Sequence, residues 1–267
     1  MADAGRDNPL AALSVVVPVK DEAENVLPLV REIATALEGR VAFEIVYVDD
    51  GSSDGTQARL QAVKAEFPML RVVCHAECYG QSAAIHTGVR HASAPLIATL
   101  DGDGQNDPAD ILALLERFQS EGGSADARLM IAGWRAKRKD TWLKRMSSKV
   151  ANRVRGSLLS DQTPDTGCGL KVFPRDMFMG FPAFNHMHRF LPALTIRAGG
   201  RVVSVAVNHR SRERGQSKYG LFNRLWVGIV DIFGVMWLNS RPIRIRVQIT
   251  EPNTTEEPTI APQQGPR

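Results

Sequence analysis

The chain has 267 residues, of which 43% are hydrophobic and 23% charged, and a formal net charge of +4. This composition is typical of a globular protein with a substantial core and excludes a disordered chain. The mild positive charge fits anionic partners such as phosphates or a membrane surface, and we expect no nucleic-acid partner. Three cysteines do not make a disulfide framework, and the polar N-terminus lacks the pattern of a signal peptide, so a cytosolic protein is expected.

Apolar, β-branched runs alternate with helical patterns over the first half of the chain. The runs predict strands at residues 13–19, 43–48, 70–74, 95–100 and 129–132. The segments between them predict helices at 26–37, where Asn25 is the expected N-cap, and at 56–65, 80–90 and 111–118. This alternation indicates the α/β class, with right-handed βαβ units and a mostly parallel, doubly wound sheet flanked by helices.

The second half is less regular and ends in polar sequence. Strands are predicted at 170–173 and 202–207, with helices at 190–198 and 221–238 and a basic loop at 208–219. From residue 241 the chain becomes rich in proline, threonine, glutamate and glutamine, which is typical of a disordered tail. The predicted units are therefore an arm (1–12), a domain (13–219), an amphipathic helix (220–240) and a tail (241–267).

Acidic side chains follow three of the predicted strands. Glu22 follows the first strand, Asp50 the second, and Asp101 with Asp103 the fourth. Because the carboxyl ends of parallel strands lie on one edge of a sheet, these three clusters are expected to meet. A single acidic turn is usually a solvated loop or a helix cap, whereas three on one edge indicate a binding site.

The spacing Asp101-x-Asp103-x-Gln105 offers only oxygen ligands on one turn. Such a set favours Mg²⁺ or Mn²⁺, with water and substrate phosphates completing the coordination shell, and disfavours zinc. The sequence disfavours an EF-hand calcium loop, because the glycine and glutamate positions of such a loop hold Asn106 and Leu112.

Several motifs in one order resemble glycosyltransferase family 2, the inverting nucleotide-sugar transferases with the GT-A fold. The motifs that carry this resemblance are Pro18…Glu22, Asp49-Asp50-Gly51-Ser52-x-Asp54, Gly80…Ala84…Gly88 and Asp101-x-Asp103-x-Gln105. A second set of motifs looks like one branch of this family, the dolichyl-phosphate mannosyltransferase-like or polyprenyl-phosphate branch. These motifs are Gly133-x-Arg135, Asp165 to Lys171, Arg189 to Leu194 and Arg212-x-x-Gly215-x-Ser217-Lys218-Tyr219. The resemblance covers residues 13–240 and implies that 13–219 is a GT-A catalytic domain.

The resemblance also implies roles for individual residues. Those expected to bind the nucleotide are Pro18, Val19, Glu22, Asp50, Ser52, Gly80, Asp101 and Gly102. The expected metal ligands are Asp101, Asp103 and Gln105, and the expected catalytic residues are Asp103, Arg135 and Asp165. The acceptor phosphate is expected to meet Arg135, Arg212, Ser217 and Lys218.

The reaction implied is transfer of a single sugar from a UDP- or GDP-linked donor to a dolichyl- or undecaprenyl-type phosphate. The cation would stabilise the departing nucleoside diphosphate. Because a phosphate monoester has a second pKa of about 6, its oxygen is already anionic at neutral pH and no general base is required.

The predicted helix at 221–238 carries bulky apolar residues on one stripe and is short for a bilayer crossing. It therefore either lies in the membrane interface or packs against the domain or a second subunit. Together with the lipid acceptor, this predicts a peripheral protein on the cytoplasmic face of a membrane. The sequence leaves open a homo-oligomer and a membrane-protein partner.

Two other functions fit the same residues. A family 2 enzyme with a saccharide acceptor would need a general base, for which Asp165 is the candidate. A catalytically silent nucleotide-binding protein would bind the donor without turning it over.

Overall fold

The computed structural model describes residues 12–136, 156, 159, 163–211 and 221–241, with side chains from residue 228 in the last range. The strands are β1 Leu13–Val19, β2 Phe43–Asp49, β3 Leu70–Cys74, β4 Leu96–Thr99, β5 Leu129–Arg135, β6 Lys171–Pro174 and β7 Arg201–Val207. The helices are α1 Ala23–Leu37, α2 Thr56–Glu66, α3 Gln81–His91, α4 Asp110–Ser120, α5 Arg175–Met179, α6 Leu191–Arg197 and α7 Leu221–Asn239, with a 3₁₀ helix at Met187–Arg189.

The seven strands form one sheet in the order β3-β2-β1-β4-β6-β5-β7. Strands β1, β2, β3 and β4 are parallel to their neighbours in this group, and β5 is parallel to β7. Among the strands of the described residues, only β6 runs antiparallel to the strands on its two sides, β4 and β5. The prediction of an α/β fold with a mostly parallel sheet is confirmed, and the antiparallel β6 is the exception that the sequence pattern did not indicate.

Both faces of the sheet are covered by helices, which explains the continuous valine run of β1. Val15 and Val17 point into a core formed with α1, α2 and α4. Val16 points into a second core, on the opposite face, that includes residues of α3, α5 and α6. Alternate side chains of a strand point to opposite faces, so a strand covered on both sides has to be apolar throughout.

The start of α1 differs from the prediction. The helix begins at Ala23, so Asn25 lies inside its first turn and is not its N-cap. The Asn25 side chain is buried, and its Nδ2 donates a hydrogen bond to Oε2 of Glu22 at 2.5 Å. Asn25 is therefore buried and holds the side chain of Glu22, the residue that precedes the helix, instead of capping the helix itself.

The apolar side chains of α7 divide between two surroundings. Val235 is buried with Leu159, Phe190 and Ala193. Phe233 and Trp237 are each 65% exposed. Within the described residues, no helix has the length and apolar character needed to cross a membrane.

Gly88 of α3 marks the closest approach of a helix to the sheet. A Cβ at this position would overlap the side chain of Val16 and lie 3.2 Å from Cγ2 of Val48.

We expect Gly88→Ala to lower the free energy of unfolding by about 1–2 kcal/mol, because overpacking exceeds the gain in helix propensity. Urea denaturation measures this. Gly234→Ala in α7, where a Cβ meets no neighbour, is the control and should not destabilise; equal effects of the two substitutions would contradict the packing argument.

Candidate active site

The carboxyl ends of β1, β2 and β4 lie side by side, so their acidic turns meet at one edge of the sheet. The turns after β1 and β2 are joined directly. The backbone N–H of Asp21 donates to Oγ of Ser52 at 2.8 Å, and Oδ1 of Asp21 accepts from the N–H of Ser53 at 2.7 Å. The N–H of Glu22 donates to Oγ1 of Thr56 at 2.9 Å. Ser52, predicted as a nucleotide ligand, is thus also part of the hydrogen-bonded framework that shapes these turns.

Asp50 is buried and accepts hydrogen bonds from one short segment of chain. Its oxygens meet Nδ1 of His75 at 2.8 Å, Sγ of Cys78 at 3.2 Å and the N–H groups of Tyr79 and Gly80 at 2.8 Å each. Burial raises the pKa of Asp50, but these hydrogen bonds outweigh burial and leave the pKa below its ordinary value. Asp50 is therefore a fixed anion that holds residues 78–80, including Gly80, at the edge of the site.

The turn after β4 is packed against the end of β1. A Cβ at Gly102 would overlap the side chain of Val19 and lie 3.0 Å from the carbonyl oxygen of Pro18. Glycine is therefore required for this close approach of backbone to backbone. Pro18, Val19 and Gly102, all predicted to bind the nucleotide, are therefore packed against one another next to Asp101.

Asp101 lies where the turn meets α3 and the strand β6. Its Oδ1 accepts a hydrogen bond from Nε2 of Gln81 at 2.9 Å, and a Cβ at Gly169 would overlap its carboxylate. Burial and then the charge of Asp103 raise the pKa of Asp101 to about 6, against the opposing attraction of Lys171. The carboxylate of Asp101 is therefore held by Gln81 on one side and by the backbone at Gly169 on the other, and the charge of Asp103 repels it.

Asp103 and Gln105 are on the outer part of the same turn. Oδ1 of Asp103 accepts from the N–H of Gln105 at 3.1 Å. Asp103 also lines a cavity of about 280 Å³ between α1 and the segment after β7.

The residues present fit a divalent cation. No group of three or more His, Cys, Asp or Glu side chains arranged for a metal occurs in the described part of the chain. However, Asp101 and Asp103 are close enough for the charge of Asp103 to raise the pKa of Asp101. A cation between two repelling carboxylates relieves that repulsion, and an all-oxygen set with one amide suits Mg²⁺ or Mn²⁺.

Arg135 and Asp165 form a two-pronged ion pair beside Asp101. Nε of Arg135 lies 2.6 Å from Oδ2 of Asp165, and Nη2 lies 2.8 Å from Oδ1. The side chains are only 14% and 8% exposed. Burial lowers the pKa of Arg135, but Asp165 outweighs burial and raises it. Both carboxylate oxygens of Asp165 are engaged by Arg135, which favours a role for Asp165 in orienting the guanidinium.

Three residues without a predicted role contact the site. Gln81 binds Asp101, and Arg210 contacts the turn that contains Gln105. Lys171 is 3% exposed, and its Nζ donates to the carbonyl oxygen of Cys168. Burial lowers the pKa of Lys171, while the charges of Cys168, Asp101 and Asp165 oppose this shift. Lys171 is the last residue of the motif that begins at Asp165, and Gln81 directly follows Gly80, so both lie in motifs that the sequence analysis had identified. The residue types alone do not indicate a role for either side chain.

The other predicted acceptor residues, Arg212, Ser217 and Lys218, lie outside the described residues. The described chain approaches them through residues 208–211. His209 forms an antiparallel bridge with Asn106.

The charge of Asp101 predicts a pH-dependent stability in the absence of metal. Its pKa of about 6 in the folded protein exceeds the ordinary 3.8, so Asp101 favours folding at low pH and costs stability as the pH rises through 6. We expect Asp101→Asn in EDTA to raise the free energy of unfolding by about 2–3 kcal/mol near pH 8 and by much less near pH 4.5. Urea denaturation at the two pH values measures this, and a pH-independent difference would contradict it.

Breaking the Arg135–Asp165 pair should be costly because it leaves a buried charge. We expect Asp165→Ala to lower the free energy of unfolding by about 3 kcal/mol, and the double variant with Arg135→Ala to cost less than the sum of the two. Glu66→Ala, which removes an exposed partner of Arg31, is the control and should cost less than about 1 kcal/mol. Additive losses at Arg135 and Asp165 would contradict the coupling.

Comparisons with known proteins show the family to which the chain belongs. Residues 14–180 match the model of glycosyl transferase family 2. The dodecaprenyl-phosphate galacturonate synthase of Rhizobium johnstonii is 35% identical over 240 residues, which cover 87% of this chain and 69% of the relative.

Solved structures share the fold at low identity. The mannosyltransferase PcManGT of Pyrobaculum calidifontis, in complex with GDP-Man and Mn²⁺, has a TM-score of 0.59 and 19% identity over 88% of this chain, which spans 65% of that chain. The glucosyl-3-phosphoglycerate synthase of Mycobacterium tuberculosis, in complex with Mn²⁺, UDP and phosphoglyceric acid, has a TM-score of 0.62 and 14% identity over 86% and 78% of the two chains. The chain belongs to glycosyltransferase family 2 and has its GT-A fold.

Proposed function

We propose that this protein is a metal-dependent, inverting glycosyltransferase that moves a single sugar from a nucleotide sugar to a polyprenyl phosphate. The observation that carries the proposal is that an acidic and a basic part of one site border the same short segment, residues 167–169. A Cβ at Gly169 would overlap the carboxylate of Asp101, which stands with Asp103 in the acidic part, and a Cβ at Gly167 would lie 3.1 Å from Nη2 of Arg135 in the basic part. The relative named as a dodecaprenyl-phosphate galacturonate synthase supports the lipid acceptor.

The donor nucleotide would bind along the ends of β1, β2 and β4. Pro18, Val19 and Gly102 would line one side of this donor site, and Asp50 holds residues 78–80 at another side. Glu22, whose backbone N–H donates to Thr56, would line the side next to α1. Solved neighbours contain GDP-mannose or UDP, so both bases are retained as candidates.

Asp101, Asp103 and Gln105 would hold Mg²⁺ or Mn²⁺ together with the donor diphosphate. When bound, the cation supplies a positive charge that stabilises the departing nucleoside diphosphate. The Mn²⁺ and Mg²⁺ in solved neighbours support this assignment. Gln81 would keep the carboxylate of Asp101 directed towards the diphosphate, since its amide already holds one oxygen.

The acceptor phosphate would be held by Arg135 and, beyond the described residues, by Arg212, Ser217 and Lys218. A guanidinium fixed by Asp165 retains little freedom, so it is preorganised for a phosphate. The phosphate oxygen is anionic near neutral pH and attacks without prior deprotonation, so charge neutralisation and positioning supply most of the catalysis.

The engagement of Asp165 also bears on the saccharide-acceptor alternative. A general base needs an oxygen within reach of the acceptor hydroxyl. Both oxygens of Asp165 accept hydrogen bonds from Arg135 at 2.6 and 2.8 Å. This pairing favours the anionic acceptor, which needs no base.

A membrane surface would bring the lipid to the site. The exposed side chains of α7, Phe233 and Trp237 among them, would insert at the interface while Val235 keeps the helix on the catalytic domain. The proposed location is peripheral, on the cytoplasmic face, alone or with a second copy or a membrane-protein partner.

The decisive experiment uses radiolabelled UDP- and GDP-sugars with purified protein, Mn²⁺ and a polyprenyl phosphate. Label in an organic-soluble product that mild acid releases supports the proposal. Label in a water-soluble glycan would support a saccharide acceptor. Binding of a nucleotide sugar, measured by thermal stabilisation, without turnover of any acceptor would support a silent binding protein.

Two substitutions test the metal set. We expect Asp103→Ala to lower kcat at least about 100-fold, because stabilisation of the leaving group is lost. Gly169→Ala should raise the Mn²⁺ concentration needed for half-maximal activity, because its Cβ would displace the carboxylate of Asp101. Gly180→Ala is the control, since its Cβ would make only ordinary contacts, at 3.5 Å or more. Transfer that is unchanged in Asp103→Ala would overturn this mechanism.

A further inference from the structure

Arg210 joins three parts of the molecule beside the candidate metal turn. Its Nη1 lies 2.6 Å from Oε2 of Glu32 on α1, and its Nη2 lies 2.9 Å from Oδ1 of Asp107. Its backbone N–H donates to the carbonyl oxygen of Gln105 at 2.9 Å, and Nε2 of Gln105 donates back to the carbonyl oxygen of Arg210 at 3.4 Å. One residue therefore contacts both Gln105 and the residue two positions after it.

The segment around Arg210 is paired with the turn over several residues. His209 bridges to Asn106, and the backbone N–H of Asn208 donates to Oδ2 of Asp110 at 2.6 Å. The turn that follows β4 is thus bound along its outer side by the chain that follows β7. These two segments are far apart in the sequence, since Gln105 and Arg210 are separated by 105 residues.

On the side that faces α1, residues 103–104 of the turn have less packing support. Between α1 and residues 103–104 lies the cavity of about 280 Å³, whose lining includes Asp103, Gly104, Glu32 and Arg210. Because the cavity leaves residues 103–104 without close packing against α1, the ion pairs of Arg210 with Glu32 and Asp107 are what connects α1 to the turn on this side. A guanidinium is suited to this because its planar fork can meet two carboxylates at once.

We propose that Arg210 is a positioning residue that holds Asp103 and Gln105 in the arrangement that binds the divalent cation. The inference rests on the proposed function only in that these two residues are taken as metal ligands. Arg210 itself binds neither the cation nor the substrate in this assignment. Its side chain acts on the turn through the ion pair with Asp107, with α1 as the fixed support through Glu32. Its backbone pair with Gln105 places it beside the turn and is kept when only the side chain is changed.

This role differs from a contribution to stability. The side chains of Arg210 and Glu32 are 41% and 43% exposed, and exposed ion pairs contribute little to the free energy of unfolding. Loss of Arg210 should therefore change the geometry of the turn more than the stability of the fold. Cation affinity is the property that separates the two effects.

The test is Mn²⁺ binding to the full chain, measured by the electron paramagnetic resonance signal of free Mn²⁺ in the presence of UDP and, separately, of GDP. We expect Arg210→Met, which keeps the length and removes the charge, to weaken Mn²⁺ binding about 10-fold or more, as loss of a residue supporting metal ligands does. Arg210→Lys should recover only part of the affinity, since an ammonium does not reproduce the fork. Arg201→Ala, which removes an exposed pair with Glu121, is the matched control and should bind Mn²⁺ as the unmodified protein does.

Thermal unfolding of the same variants without metal completes the test. The unfolding temperature of Arg210→Met should stay close to that of Arg201→Ala. If Arg210→Met binds Mn²⁺ as the unmodified protein does, or if its Mn²⁺ affinity falls only in proportion to a loss of folded protein, the inference is wrong. Absence of Mn²⁺ binding in the unmodified protein would instead contradict the proposed metal dependence, so the two failures are distinguishable.

Discussion

Repulsion between Asp101 and Asp103, brought together at the end of one parallel strand, is the constraint on which the site depends. Burial and, after it, the charge of Asp103 raise the pKa of Asp101, and the attraction of Lys171 and Arg135 opposes both. The surrounding structure holds the two carboxylates in spite of this repulsion. Gln81 does so by a hydrogen bond, and the chain after β7 does so by pairing with the turn. Two like charges held together in this way cost the protein stability. Under the proposed function, a bound cation would restore that stability.

The proposed function assigns opposite charges along this edge to the two substrates. In that proposal the acidic turns after β1, β2 and β4 would hold the donor, whose anionic phosphates need a cation. The Arg135–Asp165 pair lies on the other side, where a guanidinium is already oriented. Because β6 is antiparallel, its beginning lies beside the end of β4, which places Lys171 and the preceding residues 165–169 next to Asp101. The antiparallel strand thus brings the two halves of the site into contact.

Much of this organisation could be predicted from the sequence. Valine-rich runs indicated strands covered on both faces, and all seven strands were placed to within a few residues. The meeting of Glu22, Asp50 and Asp101 at one edge followed from parallel strands alone. The antiparallel direction of β6 and the helices α5 and Met187–Arg189 were not predicted, since short segments carry little periodicity. Asn25 was placed wrongly as a helix cap because burial overrode its local preference.

The sequence by itself determined the fold class, the family and the identity of the charged groups in the site, because these depend on local pattern and on the order of motifs. Only the tertiary structure decided which of these groups act on one another. It showed that Asp165 is engaged by Arg135 and that Asp50 holds the segment ending at Gly80. It also brought Arg210 to Glu32, 178 residues away. Ion pairs and hydrogen bonds operate over a few ångströms, and distances of that order between remote residues are set by the packing of helices on both faces of the sheet.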